Sequence, residues 1–305
     1  MRDYVIKKIF LAALIILGVI TGTFLLLYLS ADPAAILLPP EADAKDIEAF
    51  REAMGLNEPI ILQLVRFLWQ VAKFDFGVSY INKLPVVSLI GERITASIEL
   101  TFAGFLVYLC LSIPLGIISA IKRFSLIDNI ATFFALVGQA MPIYWLGIML
   151  IILFGVKLQI LPISGRGDLA HLILPSVALG TYLAPIGMRL TRSAMIDVLT
   201  QDYIRTAKAK GLSNTAMYFK HAGKNAVLPV IAVVFVQIGV LLSGAVVTET
   251  VFAWPGLGRL AATAILAGDY PLVRAVVILF TIFVVTANLI ADIIIAYLDP
   301  RIRLK

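Results

Sequence analysis

Long apolar runs separated by short polar segments dominate this chain. Six of them, at roughly 9–30, 98–121, 130–156, 172–195, 229–251 and 274–298, are long enough to cross a bilayer. A spanning helix needs about 20 mainly apolar residues, because ~30 Å of hydrocarbon is crossed at ~1.5 Å per residue. The expected fold class is therefore all-α, a polytopic membrane protein with six transmembrane helices. The run Ile9–Leu29 exceeds the apolar core of a signal peptide and five more spans follow, so the first span reads as a retained helix. Three parts result: residues 1–30 with the first helix, an extramembrane region at 31–97, and a five-helix core at 98–305 that includes a polar loop at 197–229.

Within the extramembrane region, Pro33, Pro39 and Pro40 rule out a helix through its start. Two short helices are expected beyond them, parted at Gly55–Pro59. In the second, Ile61, Leu64, Val65, Leu68 and Trp69 recur at helical spacing around Gln63, Arg66 and Gln70. Such a helix would lie along the membrane surface or cap the bundle. Spans two to four carry Pro114, Gly116, Gly138, Pro142, Gly180, Pro185 and Gly187, which suit kinked helices that move, or close helix packing. Of the polar groups in or near the spans, Glu99 and Glu249 sit near outer ends where hydration accounts for them. Asp292 lies deeper, with Arg189 or Arg192 as an expected partner.

Charge orients the bundle. Arg2, Lys7 and Lys8 precede span one, Lys122 and Arg123 follow span two, and Arg301, Arg303 and Lys305 close the chain. From Arg189 to Leu228 there are seven Lys/Arg against two acids, whereas 31–96 carries nine acids and six Lys/Arg. The positive-inside rule places both termini and the 197–229 loop in the cytoplasm. That rule also absorbs the net charge of +6, so no nucleic-acid partner is implied. With 61% apolar and 14% charged residues, a soluble domain is excluded.

Enzyme chemistry is not on offer. The one Gly-Lys pair, Gly223–Lys224, lacks the rest of a Walker A sequence, and neither H-E-x-x-H nor G-x-S-x-G occurs. His171, His221 and the single Cys110 are too scattered to make a metal site. No internal repeat suggests a self-contained secondary transporter, and no acid–histidine chain suggests a proton relay.

The basic loop has internal design. A helix from about 198 to 210 would end at Gly211 in the left-handed C′ position, followed by apolar Leu212. Ser213 would cap a second, exposed helix at about 214–224 that carries Met217, Tyr218, His221 and Ala222, flanked by Lys220 and Lys224. Pro229 then suits the first turn of span five.

At these residues the chain resembles an ATP-binding-cassette (ABC) importer permease of type I, specifically the first (B-type) membrane subunit of the dipeptide/oligopeptide/nickel family. The importer coupling loop, E-A-A-x-x-x-G with a later Leu-Pro, corresponds to Arg205-Thr206-Ala207-Lys208-Ala209-Lys210-Gly211 and Leu228-Pro229. Arg205 and Thr206 replace the pattern's Glu and first Ala. MGLNEPI, FDFGVSY, TETVFAWPGLGRLAATAILAGDYPLV and the terminal LDPRIR also match that branch. The resemblance implies a multi-pass subunit of a bacterial or archaeal plasma membrane, surrounded by lipid. Its partners would be a second permease, two cytoplasmic ATPases and an extracytoplasmic solute-binding protein. ATP and Mg would bind the ATPases, leaving this chain no cofactor. The expected ATPase-coupling residues are Arg205, Thr206, Ala207, Gly211, Ser213, His221, Asn225, Leu228 and Pro229. A translocation path or outer gate would draw on Gln139, Pro142, Glu249, Trp254, Pro255 and Gly256. The stretch after span five reads either as a re-entrant helix from Gly258 to Leu266 or as an interfacial loop anchored by Phe252 and Trp254. The resemblance leaves peptide and nickel both open as cargo, peptide being preferred.

Overall fold

The computed structural model describes residues 2–30, 38, 43–53, 55–214 and 216–298. The prolines at 33, 39 and 40 and the terminal DPRIR lie outside these residues. In chain order the helices are α1 (Arg2–Ser30), α2 (Ala44–Ala53), α3 (Ile60–Ala72), α4 (Val86–Ile121), α5 (Leu126–Ala140) and α6 (Ile143–Leu150, continuing in wider π-helical turns over Ile151–Lys157). They are followed by α7 (Leu169–Leu199) and α8 (Asp202–Ala209). A π-helical stretch, Ala216–Gly223, then runs into α9 (Lys224–Val251), and α10 (Leu257–Leu266) and α11 (Tyr270–Leu298) complete the order. Four helices are long and apolar enough to cross a membrane, and the count reaches six if each of two bent pairs is one span.

Three spans depart from the expected bounds for identifiable reasons. α4 begins at Val86, not near 98, and at 36 residues is about 54 Å long. Its first turns extend beyond a ~30 Å hydrocarbon layer, where Glu92 and Arg93 stay exposed. There Val86 and Ile90 pack on Leu257, Ala261, Leu272 and Val276 from α10 and α11. The third span is not continuous, because α5 and α6 meet at 106°. Pro142 forces Met141 out of the helical region, to φ −78 and ψ 127, and the helix stops there. Pro114, Pro175 and Pro185, by contrast, stay inside α4 and α7. α9 bends by 43° between Val233–Leu242 and Ala245–Val251.

The centre of the bundle is the α4–α7 contact. A Cβ on Gly180 would fall 2.5 Å from the Gly104 carbonyl oxygen, and one on Gly187 would fall 2.7 Å from Tyr108 Oη. One on Gly116 would meet the Met188 carbonyl oxygen at 2.7 Å. These glycines serve close backbone approach rather than the mobility their sequence pattern also allowed. Around them Leu100, Tyr108, Leu179, Leu183, Met195, Leu241 and Trp254 form a buried core.

Two ion pairs fix the basic end. Lys8 Nζ lies 2.8 Å from Asp292 Oδ2, which sets the start of α1 level with the end of α11. Both described ends of the chain are therefore on the same side. Asp292 thus pairs with neither Arg189 nor Arg192. Arg192 instead donates Nε and Nη2 to the two oxygens of Asp128 at 2.9 and 2.8 Å. Asp128 is 3% exposed and also accepts from Phe124 N at 2.9 Å and from Ser119 Oγ. The pair welds α5 to α7, with the α4 terminus held to the same carboxylate. Asp128→Ala would strand the Arg192 guanidinium, and breaking such a pair costs about 3–5 kcal/mol when fully buried. Arg192 is partly exposed, so the low end of that range is expected. Heat-induced loss of monodisperse protein in detergent should reveal it as a clear drop in melting temperature.

Candidate functional site

The basic loop folds as a chain of local motifs. α7 stops at Thr200, whose Oγ1 donates to Asp197 O at 2.8 Å, and Gln201 is extended at ψ 149. The helix expected from 198 to 210 is therefore a separate element, α8, with Asp202 in its first turn. α8 ends as anticipated. Gly211 has φ +77, its N–H donates to Lys208 O at 3.0 Å, and Leu212 N donates to Ala207 O at 3.3 Å. These are the two bonds of a Schellman ending. Nothing lies within 4 Å of where a Gly211 Cβ would be, so backbone conformation alone calls for glycine. Ser213 Oγ accepts from Ala216 N at 3.3 Å and caps the π-helical stretch.

One side of this loop is buried and the other is basic. Ile204, Ala207, Met217 and Ala222 pack with Ala120, Ala194 and Met195 at the ends of α4 and α7. The second helix is thus half-buried, not the freely exposed rod expected from its sequence. Arg205, Thr206, Lys208, Lys210, Gly211, Ser213, Lys224 and Asn225 are exposed. Asn225 Nδ2 donates to Tyr203 Oη at 2.8 Å, which ties the head of α9 to α8. Tyr203 was missed in sequence because its partner is 22 residues away. Pro229 lies in the second turn of α9 rather than the first, since that helix begins at Lys224. The side chains of His221, Leu228 and Pro229 lie outside the described residues.

At the opposite end, Glu249 is fully buried, contrary to the expectation of simple hydration. Its carboxylate accepts from Ser97 Oγ at 2.5 Å and from Arg259 N at 3.0 Å. Ser97 Oγ in turn accepts from Leu257 N at 2.7 Å. Leu257 and Arg259 are in the first turn of α10, whose own N-cap position is Gly256. Glu249 and Ser97 therefore supply, from α9 and α4, the capping oxygens that Gly256 lacks, and a carboxylate suits the positive end of a helix. A Cβ on Gly256 would lie 2.2 Å from the Glu249 carboxyl carbon, and one on Gly258 would lie 2.5 Å from Val246 Cα. Trp254 is 1% exposed and donates Nε1 to Ala96 O at 2.8 Å. Phe252, also buried, packs beside Gly147, Leu174 and Ala178. The stretch is thus a helix locked into the bundle, and the reading of Phe252 and Trp254 as interfacial anchors is corrected. Glu99 is likewise paired, with Arg166 Nη2 at 2.7 Å.

Glu249, Trp254 and Gly256 thus meet in one joint, with Pro255 between them in the chain. Gln139 and Pro142 are exposed at the α5–α6 corner and make no printed contact with it among the described residues. Ser97 and Arg259 are members of the joint that sequence reasoning missed. A signal for them was present: a helix start with glycine at the cap position takes its cap from elsewhere.

These features define an importer membrane subunit. The sequence profile of the binding-protein-dependent transport system inner membrane component matches residues 112–304, and that of its N-terminal region matches residues 1–101. The chain belongs to this family, the membrane permeases of ABC importers, which are not themselves catalytic. It is 38% identical over 307 residues to the glutathione transport system permease protein GsiC of Salmonella paratyphi A, covering 100% of both chains. To the same protein of Escherichia coli K12 it is 37% identical, again over 100% of both. Among solved structures, the inward-facing MetNI methionine ABC transporter matches with TM-score 0.57 and 17% identity, over 70% of this chain and 97% of that one. An amino acid ABC transporter matches with TM-score 0.51 and 13% identity, over 69% and 94%. At such identities these two carry the fold alone.

Proposed function

We propose that this chain forms half of the translocation pathway for small peptides, with glutathione the first cargo to test. The full-length similarity to glutathione permeases carries the choice of substrate. In this reading a second permease completes the pathway and an extracytoplasmic binding protein delivers cargo to the outer face. Two cytoplasmic ATPases, holding ATP and Mg, grip the loop at 197–229 in a bacterial plasma membrane. Arg205, Thr206, Gly211, Ser213 and Asn225 offer the exposed docking surface, while Ala207 anchors it to α4 and α7. His221, Leu228 and Pro229 belong to the same loop by sequence. The Glu249, Trp254, Pro255 and Gly256 joint would hold the outer end of the pathway, with Gln139 and Pro142 at the α5–α6 corner.

The test is uptake into proteoliposomes that contain the whole importer with its binding protein outside and ATP inside. Glutathione or short peptides should accumulate only with ATP. Accumulation of nickel, without any peptide, would overturn the substrate.

A further inference from the structure

α3 has three faces, and two are apolar. Phe67 and Val71, with Leu64 and Leu68, pack on Ile20 and Phe24 of α1 and Ile278 of α11. Gln63, Arg66 and Gln70 make a polar stripe. Between these faces lie Ile61, Val65 and Trp69, spaced four apart and 74%, 56% and 64% exposed. A helix that only capped the bundle would have no use for this third face.

The depth of α3 can be read along two helices. The Lys8–Asp292 pair marks the basic edge, since the apolar run of α1 begins at Ile9. At ~1.5 Å per residue, Phe24 on α1 lies about 24 Å from that edge, and Ile278 on α11 about 21 Å. The hydrocarbon layer is ~30 Å thick, so α3 rests several ångströms inside its far boundary. That is the depth taken by interfacial amphipathic helices. The exposed face of α3 also continues that of α1, where Leu25, Leu26 and Leu29 are uncovered.

Two cations fit the same level. Lys73 Nζ sits 4.7 Å from the Trp69 ring centroid, at the end of α3. Arg274 is about 27 Å from the basic edge by the same rise, close to where lipid phosphates lie. Its guanidinium stacks 5.0 Å from the Phe67 ring centroid, and its Nε is buried without a hydrogen-bond partner. No carboxylate pairs with it among the described residues.

We infer that α3 is inserted in the outer leaflet, with Ile61, Val65 and Trp69 against lipid acyl chains and Gln63, Arg66 and Gln70 toward water. The occupant of the third face is lipid, because that face continues an uncovered apolar helix at hydrocarbon depth and is flanked by cations at headgroup depth.

The test uses the whole importer in phospholipid vesicles. Cys110 is the single cysteine, so a Cys110→Ser background permits one nitroxide label at a time at 61, 65 and 69, then at 63, 66 and 70. Retained ATP-driven uptake confirms that each labelled protein is assembled. Oxygen collisions should outweigh those of a water-soluble nickel chelate at 61, 65 and 69, with the ratio reversed at 63, 66 and 70. Dominance of the chelate at the first three positions would overturn the inference. So would low access by both reagents, which would mean that a protein partner covers the face. Trp69 offers a label-free measurement: in a Trp145→Phe background, lipids brominated high on the acyl chain should quench its emission, while a water-soluble quencher should not. Quenching only from the aqueous phase would contradict the placement.

Discussion

Gly211→Pro is expected to abolish ATP-driven uptake while the chain still inserts into the membrane. The reasons are local and additive. Gly211 sits at φ +77, whereas proline is held near −65°. Its N–H, which proline lacks, donates to Lys208 O at 3.0 Å. Proline also disfavours helical backbone at the preceding residue, Lys210, which closes α8. The Schellman ending is lost, and the segment that begins at Ser213 leaves α8 in another direction. The transmembrane helices are untouched, so insertion should be normal. Gly211→Ala is the informative control. The left-handed conformation costs an L-residue about 1–2 kcal/mol, and the new methyl would meet nothing within 4 Å. Uptake should be reduced but present. Parallel assays of uptake, ATP hydrolysis and resistance to carbonate extraction check the pair, and wild-type transport by the proline variant would show that the loop is not the lever.

Gly256→Ala is expected to destabilise the outer joint, and Glu249→Ala to relieve much of that damage. The added Cβ would lie 2.2–2.4 Å from the Glu249 carboxyl atoms. A flexible carboxylate could swing aside, but this one is fully buried and held by Ser97 Oγ and Arg259 N. Overpacking costs about 1–3 kcal/mol, and each buried group left unpaired adds about 1–3 kcal/mol. Glu249→Ala alone strands Ser97 and the first turn of α10, so it too should be destabilising. In the double variant the methyl at 256 occupies space vacated by the carboxylate. The combined loss should therefore be smaller than the two single losses added. Melting of the detergent-solubilised protein measures all three variants, and strict additivity would show that the contact does not govern the joint.

The features legible in the sequence are those whose causes are local. Six apolar runs gave the spans, and a glycine followed by leucine and serine gave the α8 ending and the next cap, because those bonds join residues at most five apart. The Asp128–Arg192 clamp was not legible. Asp128 lies just before the third apolar run, and its partner is 64 residues away. Glu249 was misjudged for the same reason: position near a span end suggested water, but Ser97, 152 residues distant in sequence, reaches it. The break at Pro142 was hidden because hydropathy runs unchanged across it, whereas the backbone cannot. The burial of Trp254 was obscured by the common placement of tryptophan at membrane interfaces, which says nothing about the Ala96 carbonyl waiting beside it.

The account's central claim is that energy reaches this chain from another polypeptide. Reconstituting the chain and its partner permease in vesicles, with and without the ATPases, tests it most directly. With ATPases, binding protein and ATP present, substrate should accumulate. Without the ATPases, imposed proton or sodium gradients should drive none. Gradient-driven accumulation by the permeases alone would contradict the claim.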